Sequence, residues 1–174
     1  METGLQFLMQ KRNKITSSEK IEIHQFKSNF FIGNYNDFKP FNLKSFSKND
    51  TSFKNVNIIH FGKPPVIVPN KLFKKDNLHK YLSTNYKLLD NSNISYDVST
   101  NKLIYIVYEK KENLEIILEN KGVNFNSINY FTVIYEYLVN LKKVDDLSIY
   151  INLRANLFDL IIYKQDEFLY FNTF

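Results

Sequence analysis

The stretch that most constrains the fold is KLIYIVYE, residues 102–109. It is a near-continuous apolar run rich in β-branched and aromatic side chains, the pattern of a strand covered on both faces. The segment KENLEIILENKG follows, placing Leu114, Ile117 and Leu118 on one helical face and closing on Gly122, a natural helix stop. VNFNSI then reads as a short strand. NYFTVIYEYLVNLKK carries Phe131, Ile134, Leu138 and Leu141 at helical spacing, and Ile149, Ile151 and Leu153 alternate as in a strand. Residues 102–153 therefore predict β-α-β-α-β, expected as a parallel arrangement with helices packed on the sheet. Ile104 and Ile106 are expected in a central strand.

Both ends of the chain predict antiparallel hairpins. Residues 4–9 and 20–26 read as strands joined by QKRNKITSS, and Phe158, Leu160 and Ile162 alternate before KQDE turns the chain into FLYF. From 27 to 54 the pattern dissolves into Asn, Ser, Lys and scattered Phe, with Gly33 and Pro40 as breakers, so a long irregular connection or a poorly formed helix is expected. NVNIIHFG (55–62) predicts a strand, and PPVIVP (64–69) a short extended piece restricted by its prolines. Asp76 is placed to cap a helix running to Ser83, with Leu78 and Leu82 on its inner face.

Composition narrows the chemistry. The chain has no cysteine, which excludes disulfides, thiolate nucleophiles and cysteine metal sites and leans towards a reducing compartment. The apolar run GLQFLM is too short for a signal-peptide core, and Lys11 and Arg12 follow it instead of preceding it. No run approaches the roughly 20 apolar residues of a membrane helix, so a cytoplasmic location without membrane contact is expected. The net charge of +5 suggests nucleic acid, but only Arg12 and Arg154 of the 23 basic residues are arginine. Arginine is the preferred fork for phosphate and guanine. Lys, Asn, Ile, Phe and Tyr enriched together is the imprint of an AT-rich genome, so the basicity is mostly codon bias.

Motifs for catalysis are missing. There is no G-x-x-x-x-G-K-[ST] loop, no G-x-G-x-x-G turn, no G-x-S-x-G elbow and no H-E-x-x-H. His24, His60 and His79 lie in separate elements and predict surface or half-buried histidines rather than a metal site. Asp145 and Asp146 read as a solvated bend after a helix. No catalytic residue, no metal and no cofactor is expected, and the chain reads as a non-enzyme. One stretch points elsewhere: residues 27–54 interleave Phe30, Phe31, Tyr35, Phe38, Phe41, Phe46 and Phe53 with lysines, a pattern that serves single-stranded nucleic acid. The plainer account is an aromatic edge of the core with lysines pointing outward.

Three stretches carry a resemblance: VPNKLFKKDNLHKYL, FNSINYFTVIYEYL and IYINLRANLFDLIIYKQDEFLYFNTF. Together they resemble the Bacteroidetes domain of unknown function family 3822, whose fold is similar to the actin-like ATPases. The resemblance implies an α/β fold: a ribonuclease H-like half with a mixed sheet and flanking helices over 1–145, then the opening three-stranded β-meander of an incomplete second half over 146–174. It also implies that most of the strand before Gly4 is missing and that family members continue past Phe174.

By the same resemblance, two Gly-containing turns would grip phosphates. The first reads METG, with Glu2 ahead of Gly4, and the second reads NLRANLF, with Arg154, Ala155 and Asn156. The second has neither acid nor glycine, which hinders close backbone approach to a phosphate. Gly4, Arg154 and Asn156 are thus the candidate nucleotide contacts of degenerate turns. The expected function is a non-catalytic, cytoplasmic protein-interaction or scaffold domain on a degenerate actin-like fold. The alternatives are a nucleic-acid-binding module using segment 27–54 and a degenerate nucleotide-binding protein. A protein partner or a second copy is expected at the final strand, through Phe168, Leu169 and Phe171.

Overall fold

The computed structural model describes residues 20–26, 29–34, 37–41, 55–89, 91–110, 114–120, 122–141, 146–154 and 157–174. The chain divides into a larger unit, Ile15–Val133, and a C-terminal unit that includes Ile134–Phe174.

In the larger unit, β1 (Lys20–Phe26), β2 (Asn29–Asn34) and β3 (Asp37–Phe41) form an antiparallel meander. Strand β4 (Asn55–Phe61) lies parallel to β1, and β8 (Phe125–Asn129) parallel to β4, giving the order β3-β2-β1-β4-β8. The sheet is mixed, as the resemblance implies. The expectation of irregular chain over 27–54 fails at β2 and β3. Pro40 sits in β3, the edge strand of this sheet, where a residue without an N–H is tolerated. The breaker was real, but at an edge it breaks nothing. Tyr35, Phe46, Phe53 and the strand expected at 4–9 lie outside the described residues.

A second sheet of the same unit is wholly antiparallel, ordered β5-β7-β6: β5 (Val66–Pro69), β6 (Asn93–Val98) and β7 (Ile104–Lys110). Strand β7 is central and Ile104, Ile106, Val107 and Tyr108 are all buried, so its apolar run is covered on both faces as expected. The parallel arrangement expected for 102–153 is corrected, however. The order β-α-β-α-β is present, but β7, β8 and the strand after them belong to three different sheets. What captures β7 is a tight hairpin with β6, an element the sequence pattern did not announce. Its turn is held by Lys102 N–H donating to Ser99 O at 2.8 Å, while Ser99 Oγ accepts Ile104 N–H at 3.2 Å.

Helix α1 (Leu78–Ser83) packs Leu82 against Val68 and Val107, flanked by Phe73, Leu78 and Tyr81. Asp76 does not cap it. It lies inside a 3-10 turn, Lys75–Asn77, and the capping position falls to Asn77 without a side-chain bond. Helix α2 (Leu114–Asn120) buries Leu118 and stops at Gly122, whose φ of 69° is the left-handed conformation the stop requires. Val123 N–H then returns to Leu118 O at 3.0 Å. Helix α3 (Tyr130–Val139) buries Phe131, Ile134 and Leu138, as their spacing predicts.

The C-terminal unit is the meander β9 (Leu147–Arg154), β10 (Leu157–Lys164) and β11 (Glu167–Thr173), ordered β11-β10-β9. The ring of Tyr135 on α3 meets Tyr163 and Phe168 at centroid distances of 6.5 and 5.6 Å, which fixes the helix to one face of this sheet. Among the described residues, no helix is long and apolar enough to cross a membrane.

Candidate functional site

Strand alternation gives the C-terminal meander two faces. One face carries Asn152, Asp159, Ile161 and Tyr163, all buried. Asp159 is fully enclosed within a polar cluster. Its Oδ1 accepts from Arg154 Nη2 at 2.8 Å and Thr173 Oγ1 at 2.6 Å, and its Oδ2 accepts from Asn152 Nδ2 at 2.8 Å. Register explains the convergence, because Asp159 pairs directly with Asn152 on β9 and with Thr173 on β11.

The other face is apolar and open. Leu147, Ile149, Ile151 and Leu153 are 55, 58, 59 and 64% exposed. Across the strand pair, Ile149 faces Ile162, Ile151 faces Leu160, and Leu153 faces Phe158. Phe158 in turn stacks on Phe174, 5.2 Å between centroids. On its closed side this meander combines the Asp159 cluster with Ile161, Tyr163 and Phe168, and on the other it presents aliphatic groups to water.

The larger unit has a different polar cluster, drawn from strands and helices distant in sequence. Glu115 on α2 accepts from Lys110 Nζ at 2.6 Å and from Ser127 Oγ at 2.7 Å. His60 Nε2 stands 2.7 Å from Ser127 Oγ. A hydroxyl has one proton, and Ser127 spends it on Glu115, so His60 donates to Ser127. That order is the reverse of nucleophile activation, in which the serine gives its proton to the imidazole. Burial alone would raise the Glu115 pKa; the imidazole of His60 3.5 Å away, the bonds from Lys110 and Ser127, and the Lys110 charge outweigh it and hold the carboxyl down at about 2. Nearby, Asp97 on β6 accepts from Tyr108 OH at 3.0 Å, Asn129 N–H at 2.7 Å and Thr132 Oγ1 at 2.5 Å. Burial raises its pKa despite those bonds. The same burial, with the Asp97 carboxylate beside it, raises that of Tyr108. The cluster ties β4, β6, β7, β8, α2 and the start of α3 together.

The residues singled out from sequence fall as follows. Arg154 ends β9 with its guanidinium on Asp159. Gly4 and Asn156 lie outside the described residues, as does Asp145, while Asp146 is exposed. Of the histidines, His24 falls in β1, His79 is exposed, and His60 is 3% exposed and hydrogen-bonded, more buried than expected. Phe168 is half-buried against Tyr135 and Tyr163, Phe171 is half-buried, and Leu169 is exposed where the register of β10 and β11 shifts. Sequence reasoning missed Asp159, although an acid inside LFDLIIY was the available signal. It also missed that Ile149, Ile151 and Leu153 face outward.

Comparison with known proteins now bears on these elements. Residues 8–174 match the family described as protein of unknown function (DUF3822). The chain belongs to that family. This DUF3822 chain is similar to a crystal structure from Bacteroides thetaiotaomicron, of a protein with actin-like ATPase fold and unknown function. The two share 17% identity at a TM-score of 0.71, and the match covers 89% of this chain and 69% of that one. The actin-like ATPase fold is therefore the fold of this DUF3822 chain as well. No curated protein matches it.

Proposed function

We propose that this chain is a non-catalytic, cytoplasmic protein-interaction or scaffold domain built on a degenerate actin-like fold. The observation that carries the proposal is the open aliphatic face of β9 and β10. An apolar patch of this kind on a water-facing sheet marks a place where another surface binds. Two further features support the non-catalytic part. Arg154, the cation of the second phosphate turn, is already committed to the enclosed Asp159. A phosphate would have to compete with that buried carboxylate for the guanidinium. In the larger unit, the serine–histidine pair runs in the order that does not activate a nucleophile. The cysteine-free composition supports the cytoplasmic setting.

The test is thermal melting of the chain with ATP and magnesium, and separately with single-stranded RNA across a salt series. Melting is expected to be unchanged by either ligand. A nucleotide present at about 100 times its dissociation constant would add about 2.7 kcal/mol, so a clear rise in Tm with ATP overturns the proposal in favour of nucleotide binding. A rise with RNA that fades steeply with salt overturns it in favour of a nucleic-acid module.

A further inference from the structure

We infer that the outer surface of residues 71–87 is a docking surface for an acidic segment of a partner protein, its carboxylates grouped around an apolar side chain. This stretch of the larger unit runs from the 3-10 turn Asn70–Leu72 through the turn Lys75–Asn77 and helix α1. The inference rests on the interaction-domain proposal and assigns the chemistry of a partner.

Charge placement is the first reason. Codon bias spreads lysine along a chain, but it does not strip carboxylates out of one stretch of it. Residues 71–87 hold five lysines against one carboxylate, Asp76, so +4 of the chain's net +5 sits in this one segment. Lys71, Lys74, Lys75, Lys80 and Lys87 are all exposed, and among the described residues none of them pairs with a carboxylate. Lys63, Lys110 and Arg154 do so, on Glu109, Glu115 and Asp159. Exposed cations grouped without counter-charges set up a local positive field that steers and selects an acidic partner. An apolar anchor lies among them. Leu72 is 67% exposed, and Leu103, 62% exposed, is held beside its turn because Asn70 N–H donates to Leu103 O at 2.9 Å. An apolar centre with a polar rim is the anatomy of a protein interface.

Rigidity is the second reason. The inward side chains of the segment are fixed on the second sheet. Phe73 stacks on Tyr105 with 3.6 Å between centroids and meets Tyr96 at 5.0 Å, while Leu82 packs on Val68 and Val107. Tyr81 OH donates to Leu72 O and accepts Lys74 N–H, each at 2.9 Å, so the backbone beneath the lysines is tied down. A surface ordered before binding loses less freedom when the partner arrives. The same packing favours protein over nucleic acid. Single strands need open ring faces on which bases stack, but Phe73, Tyr96 and Tyr105 turn their rings to one another. The segment also has no arginine, the preferred fork for phosphate. Carboxylates on a protein segment need neither.

The test is fluorescence anisotropy of a labelled synthetic peptide, glutamates around one leucine, titrated with the full chain across a salt series. Binding is expected, and it should weaken as salt rises, because exposed charges are screened. Reversing Lys74, Lys75 and Lys80 together (Lys74→Glu, Lys75→Glu, Lys80→Glu) should weaken it at least about tenfold with circular dichroism unchanged. Leu72→Ser should weaken what binding persists at high salt. Lys75→Glu alone and Lys164→Glu on β10 change the net charge equally, and only the first should lower affinity. A parent chain that does not bind the peptide overturns the inference; if the ATP and RNA melts are then flat, the functional proposal stands without it. Equal losses in the two single variants overturn it too, since the peptide then answers to net charge and not to this surface. Poly-U RNA binding more tightly than the peptide at the same salt overturns both the inference and the functional proposal, in favour of a nucleic-acid surface.

Discussion

In the larger unit the meander β1–β2–β3 has β4 laid parallel along β1, and β8 along β4. In the C-terminal unit β9 stands where β1 stands, the first strand of a three-stranded meander, and among the described residues no strand pairs with its outer edge. The first meander is the start of a sheet and the second is a sheet in itself. Both faces of a strand are buried only when something packs on each side of its sheet. The larger unit does this for β7: Val107 packs with Val68 and Leu82 on one side, Tyr108 meets the His60 ring on the other, and Asp97 and Glu115 are bonded in by side chains from neighbouring elements. The C-terminal unit closes one face with α3 and leaves aliphatic side chains on the other. The difference teaches that the same local plan yields a core or a surface according to what is added beside it.

The sharpest way to break this comparison is one substitution made twice. Ile106→Asp places an unpaired charge in the centre of β7, where burial is complete, and should abolish soluble expression, because such a charge has no compensating partner. Ile151→Asp makes the same change on the open face of β9 and should leave a cooperatively melting protein in dilute solution. If both variants fold, or neither does, the two regions are not covered as differently as their exposures say.

A smaller effect tests the closed side of the C-terminal meander. Asp159→Ala strands Arg154 without its carboxylate in a site that is largely buried, and should cost about 3–5 kcal/mol, read from urea unfolding. Replacing both partners, Asp159→Leu with Arg154→Met, should recover only part of that, since the buried Asn152 amide and the Thr173 hydroxyl then lose their acceptor. A single Asp159→Ala variant as stable as the parent would show that the cluster is incidental.

The smallest effect belongs to the larger unit and appears only as a pH dependence. The folded state holds Glu115 ionised, with its pKa lowered from 4.5 to about 2. Its contribution is therefore present above pH 4.5 and is lost as pH falls through about 2. Asp97 acts in the opposite sense, because a raised carboxyl pKa disfavours folding as pH climbs past its unfolded value. Glu115→Gln should flatten the loss of stability on the acid side, measured as the urea midpoint between about pH 5 and 2, the window set by that shift. An unchanged acid limb would remove Glu115 from the account.

Much of this was written locally. The apolar run of β7, the helical spacing of Phe131, Ile134 and Leu138, and the glycine after α2 fix their elements through neighbours a few residues away, where side-chain period and backbone freedom act directly. Those same local rules made β2 and β3 illegible, because whether Pro40 disrupts a strand depends on its place at a sheet edge, and that place is set by pairing between distant segments. They also hid the Asp159 cluster, since Asn152, Arg154 and Thr173 meet it only through cross-strand register.

Sequence alone determined most of the strands and helices and that the named catalytic motifs do not occur in these residues, because both are properties of residue type and spacing. Tertiary structure alone decided which sheet each strand joins and which face of β9 meets water. An alternating strand has two faces of fixed content, but nothing in its own residues says which one another element will cover. Here α3 covers the one that holds Asn152, and Leu147, Ile149, Ile151 and Leu153 are left outside.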